Sequence, residues 1–211
     1  MTDFDHRTTT DNWAEIDYDR DRWFLMPLAF KGIKWPDAAE WAYENACDRF
    51  LRGGRTLTKK VVKKEVLPFA ERLVRAHHEA AGHIAGHMLY LHCPDYTKVP
   101  LLLAVGLWKT MGTWEEAIQY YAYGGTKTAT TTPVADWITT ENLGTGVRAS
   151  WHGELEGPYD QVNYIFRNEA FATDVHAFLM ANDHDRFVEA LPDLDRFMHG
   201  IRCIPSTIGK S

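Results

Sequence analysis

An α+β fold, a mainly antiparallel twisted sheet flanked by helices, is what this sequence predicts, and two features of its C-terminal third carry the prediction. Three runs alternate apolar and polar residues. Val147, Ala149 and Trp151 alternate with Arg148, Ser150 and His152; Val162, Tyr164 and Phe166 with Gln161, Asn163 and Arg167; Val175, Ala177 and Leu179 with Asp174 and His176. Side chains on a strand point alternately to opposite faces, so a period of two marks three half-buried strands. Gly153, Gly157-Pro158 and Asn168-Glu169 fall at the joints, so the simplest connection is an antiparallel meander. The second feature is a cover for that layer: Phe187, Leu191, Leu194, Met198 and Ile201 recur at helical spacing.

The earlier elements follow from local chemistry. Residues 1–22, with Asp3, Asp5 and Asp11, form an expected flexible acidic segment, and 206–211 a tail; 23–205 is expected as one domain. Trp23 to Leu28 reads as an edge strand ended by Pro27. Trp35-Pro36-Asp37 starts a helix whose stripe is Ala38, Ala42, Ala46 and Phe50, with Trp41 beside it, and Gly53-Gly54 ends it. Thr56 is the expected cap of a second helix, which Pro68 kinks or restarts, and Leu67, Leu73 and Val74 continue its apolar face to about Ala76. His87 to Cys93 and Leu101 to Trp108 are more continuously apolar strands. Thr113 and Glu116 make a capping box for a short helix through Tyr121, and Trp137 to Thr140 adds another edge strand.

Composition narrows the function. With 211 residues, 45% hydrophobic and 13% aromatic, the chain has the content of a globular core. A formal charge of −6 argues against a nucleic-acid partner. Cys47, Cys93 and Cys203 are widely spaced and read as reduced thiols of a cytoplasmic protein. No apolar run approaches the ~20 residues of a membrane span, and no signal peptide is read at the N-terminus.

Several patterns invite chemistry. His77, His78, Glu79, His83, His87 and His92 cluster, and on one continuous helix Glu79, His83 and His87 would stack four apart, a geometry that binds metal. Against it, His78 and His83 are five apart, and Gly82 and Gly86 read equally well as a loop. Gly124-Gly125-Thr126-Lys127-Thr128 lacks the spacing of a phosphate loop, and Ser150, Ser206 and Ser211 sit in no nucleophile elbow. Glu154, Glu156, Asp160 and Glu169 crowd the strand ends. Arg148 and Arg167, expected on adjacent strands and both on the polar face, either clamp a carboxylate or phosphate together or pair with acids such as Asp174 or Glu141. Tryptophans and tyrosines exceed what a small core requires, so Trp137, or Trp151 and Tyr164 as walls, can line a groove or pocket.

Leu143-Gly144-Thr145-Gly146-Val147-Arg148, then Asn163-Tyr164-Ile165-Phe166-Arg167, then Phe187 through Leu194-Asp195-Arg196-Phe197 give a strand, strand, helix cadence. In this C-terminal half the chain resembles the PsbP-like (Mog/PsbP) α/β/α sandwich class, and also actinobacterial proteins of similar size. The resemblance implies a binding module without catalytic residues. The expectation is therefore a non-catalytic adaptor or chaperone-like protein. It needs no cofactor, and its partner is another protein, a small molecule or a second copy in a homodimer. The alternatives are a metal-dependent hydrolase on Glu79, His83 and His87, or a small-ligand-binding protein.

Overall fold

The computed structural model describes Thr10, residues 12–80 and residues 87–205. In chain order the elements are β1 (Asn12–Ile16), β2 (Trp23–Met26), α1 (Ala38–Arg52), α2 (Lys59–Val61), a π turn (Val62–Val66) and α3 (Leu67–Ala80). Then come β3 (His87–His92), β4 (Leu101–Lys109), α4 (Trp114–Ala117), a second π turn (Ile118–Ala122) and β5 (Val134–Thr140). The chain ends with β6 (Gly144–Glu154), β7 (Pro158–Asn168), β8 (Thr173–Ala181), α5 (His184–His199) and β9 (Ile201–Pro205). Helices and a mostly antiparallel sheet together make the fold α+β, as the alternation predicts. The chain divides into two compact units, one of residues 19–103 and one combining the N-terminal segment through Tyr18 with everything from Ala104 onward.

In the 19–103 unit, β2 pairs antiparallel with β3 from Trp23↔His92 to Met26↔Leu89. α1 starts where predicted, with the Asp37 carboxylate accepting from the Glu40 amide at 2.9 Å. Its stripe of Ala38, Trp41, Ala42, Ala46 and Phe50 is buried, and Gly53 caps its end. The second helix is capped by Thr58, not Thr56: the Thr58 hydroxyl accepts from Val61 N. Pro68 lacks an N–H and its ring crowds the carbonyl one turn back. The helix absorbs this by widening into the π turn immediately before it, where the Leu67 N–H reaches Val62 O. That shift leaves Leu67 exposed and makes Phe69 and Leu73 the fully buried face. Each large apolar side chain so buried contributes about 1.5–3 kcal/mol. Arg55 grips both Glu65 oxygens at 2.6 and 2.7 Å, and Tyr96 OH donates to the same carboxylate at 2.9 Å, tying the post-α1 loop to the π turn.

In the other unit the sheet order is β4-β8-β7-β6-β5. β6 and β7 pair antiparallel from Gly146↔Phe166 to Glu154↔Pro158, and β7 and β8 from Asp160↔Ala181 to Asn168↔Thr173. The meander is the predicted one. α5 packs on one face of this sheet. On the other lie Trp108, Ala117, Tyr121 and Ala122, in one cluster with Val147, Ala149, Trp151 and Ile165. α4 carries the predicted capping box, with Thr113 Oγ1 accepting from Glu116 N and Glu116 accepting from Thr113 N. Asn163 then closes the π turn behind it: its buried amide donates to the carbonyls of Tyr121, Ala122 and Gly124 at 2.9–3.2 Å.

The chain ends depart from expectation. Asn12–Ile16, inside the segment expected to be flexible, is β1 and pairs antiparallel with β9 from Asn12↔Pro205 to Ile16↔Ile201. Ile201 is thus the first residue of a strand instead of the last turn of α5. Asn12 anchors β1 further, donating to Phe171 O at 2.6 Å and Thr173 Oγ1 at 2.8 Å. Residues 206–211 lie outside the described residues.

Candidate functional site at an open sheet edge

Two-residue periodicity and strand register decide which side chains meet. Val147 lies opposite Ile165, and Arg148 opposite Tyr164. The apolar set of β6 therefore faces α4 and the π turn, whereas the apolar set of β7 faces α5. Arg148 and Arg167, on the polar sets of adjacent strands, consequently sit on opposite faces and form no joint clamp.

Each arginine has its own acids. Arg148 donates to Asp195 of α5 at 2.7 Å and to Asp136 of β5 at 3.0 Å, and Tyr164 OH donates to the other Asp195 oxygen at 2.8 Å. Burial, reinforced by the Asp195 charge, drives the Tyr164 phenol far above its ordinary range. On the opposite face Arg167 grips Asp174 through two bonds of 2.7 and 2.9 Å, with its guanidinium over the Trp114 ring. Asp174 is the predicted partner; Asp136 and Asp195 replace the predicted Glu141.

Trp151 and Tyr164 are core residues, 4% and 0% exposed, and they too lie on opposite faces, so they wall no common pocket. Trp137 is different. It stands opposite Val147 on β5, the outermost strand of the order, and is 68% exposed. Val134, on the other face of the same strand, is 62% exposed. Beyond Val134 the edge continues through residues 129–131: Ala129 bridges Gly153, and Thr130 N donates to His152 O at 2.8 Å. Among the described residues no strand covers the outer side of β5. An edge strand presents alternate unpaired N–H and C=O groups, and large apolar side chains beside them add affinity for an extended chain.

The predicted metal set is not assembled as one helix. α3 ends at Ala80 with Glu79 exposed, His87 opens β3 half-buried, and His83 lies outside the described residues. Among the described residues no three His, Cys, Asp or Glu side chains group to hold a metal ion. His77 is buried, its Nε2 3.0 Å from Pro27 O, and burial holds its imidazole below the usual histidine range.

One cluster was legible only in part. Asp160, read in the sequence as one of several carboxylates at the strand ends, is buried, with one oxygen 3.1 Å from His152 Nδ1 and the other 3.0 Å from His184 Nδ1. His152 sits opposite Asp160 in the β6–β7 ladder, but His184 comes from the first turn of α5, and no local pattern announces that it meets Asp160. Ser150, on the same face as His152, makes no hydrogen bond to it.

No family model and no curated protein matches this chain. Among the described residues no helix is long and apolar enough to cross a membrane.

Proposed function

We propose that the chain is a non-catalytic binding protein, an adaptor or chaperone-like module that takes an extended segment of a partner protein along the outer side of β5. The observation that carries this reading is the uncovered edge strand with Trp137 68% exposed upon it. A single tryptophan so placed adds large, rigid contact area at little entropic cost, the usual source of binding energy at an interface. The PsbP-like cadence supports a role without catalytic residues, and three free cysteines, two of them buried, fit a reducing cytoplasm. The test is photo-crosslinking in the producing cell with benzoylphenylalanine in place of Trp137, against Val188 of α5, an exposed apolar position away from the edge, as control. A discrete adduct at position 137 and not at 188 is expected. Identical patterns at both positions, or none at 137, overturn the reading.

A second reading rests on Asp160. A shared buried carboxylate holds two part-exposed imidazoles through their Nδ1 atoms, an arrangement suited to proton transfer at a solvent-facing margin. Hydrolysis of an activated ester that disappears in both His152→Gln and His184→Gln would favour it; unchanged rates in both would remove it.

A further inference from the structure

We infer that the segment taken by β5 is basic: an extended stretch with lysine or arginine alternating with apolar residues. This rests on the edge-docking reading and adds the partner's chemistry. Acids flank the edge at both ends. Glu141 follows Thr140 in the turn into β6, while Glu154 and Glu156 stand at the β6–β7 hairpin next to the Ala129–Gly153 bridge. All three are exposed, and none is in an ion pair among the described residues.

In the middle of the strand Asp136 keeps 57% of its side chain exposed, and its ion-pair partner among the described residues, Arg148, divides its charge between Asp136 and Asp195. The base nearest the edge in sequence is Lys127, two residues before Ala129. A strand laid antiparallel on β5 alternates its side chains between the two faces. On one face they meet Trp137, whose ring accepts the stem and ammonium of a lysine. On the other they meet Val134 and Asp136, an apolar contact beside an acidic one. An acidic segment meets like charge along this length, a cost that works against it.

The test is NMR titration of the full ¹⁵N-labelled chain with three short blocked peptides that alternate valine with lysine, with glutamate or with threonine. The lysine peptide is expected to shift the β5 amides and the Trp137 indole, to bind about tenfold more tightly than the glutamate peptide, and to weaken as salt rises. Neutralising Glu141, Glu154 and Glu156 to glutamine should remove most of that preference. If the threonine or glutamate peptide binds β5 as well as the lysine peptide, the basic preference is wrong and edge docking stands. If no peptide shifts β5, both fall.

Discussion

Removing the Arg167 guanidinium should unfold much of what holds β7 and β8 to the α4 side. Its side chain is 9% exposed and that of Asp174 1%, so the pair is dry, and its two bonds of 2.7 and 2.9 Å leave little of either charge unmet. Arg167→Met keeps the aliphatic volume beside Trp114 but, among the described residues, leaves the Asp174 carboxylate with Thr110 Oγ1 alone, 3.4 Å away. A buried carboxylate stripped of its cation costs about 3–5 kcal/mol. Against a domain stability of roughly 5–15 kcal/mol, that is a large fraction of the total. Replacing both partners, Arg167→Met with Asp174→Leu, removes the uncompensated charge, and the double variant should return to within about 1 kcal/mol of the parent. Urea unfolding followed by tryptophan fluorescence reads all three proteins. A loss below about 1 kcal/mol in the single variant is what an exposed pair would give. That result, or a double variant no better than the single, would refute the assignment of Arg167 to the fold and reopen it as a ligand residue.

Three further outcomes are expected. Trp137→Ser should change stability by no more than about 0.5 kcal/mol, since the indole is exposed, yet abolish partner capture; a large stability loss would mean that Trp137 belongs to the core. His77 is held neutral by burial, so its folded pKa lies below the unfolded value of 6.5 and the unfolded chain binds the extra proton. Its stabilising contribution is therefore present above about pH 6.5 and lost as pH falls from there through the depressed folded value. The urea midpoint should drop between about pH 8 and about pH 5, and His77→Gln should flatten that drop; equal slopes would contradict the placement. Burial pushes the Cys203 thiol up to about 11, and Cys93 is buried as well, so alkylation followed by mass spectrometry should mark half-buried Cys47 first; early modification of Cys203 would be inconsistent with β9 packed on β1.

How much was legible follows from how local each signal is. The meander and α5 were readable because alternation and helical spacing are written in consecutive residues, and α1 because Asp37 and Gly53 mark its ends chemically. The β1–β9 pair was not: it joins residues almost two hundred positions apart, and Asn12 to Ile16 carry no strong alternation. The π turns escaped because they arise from accommodation, of Pro68 in one case and of the Asn163 amide in the other. The face assignment failed for a subtler reason. With cover on both sides of the sheet, the polar set of each strand no longer marks a common solvent face. The hairpin register then places Arg148 with Tyr164 and leaves Arg167 on the other side. Of the residues singled out for binding, Arg148 and Arg167 are engaged by acids on opposite faces and Trp151 and Tyr164 are buried. Trp137, assigned to an edge strand by sequence, keeps its exposure.

Hydrogen exchange along Val134–Thr140 tests the open edge most directly. In the free protein the β5 amides bonded to β6 should be protected and the alternate, outward amides should exchange at close to the rate of an unstructured chain; adding the lysine–valine peptide should protect the outward set as well. Outward amides already protected in the free protein, or unchanged by every peptide, would contradict a docking edge.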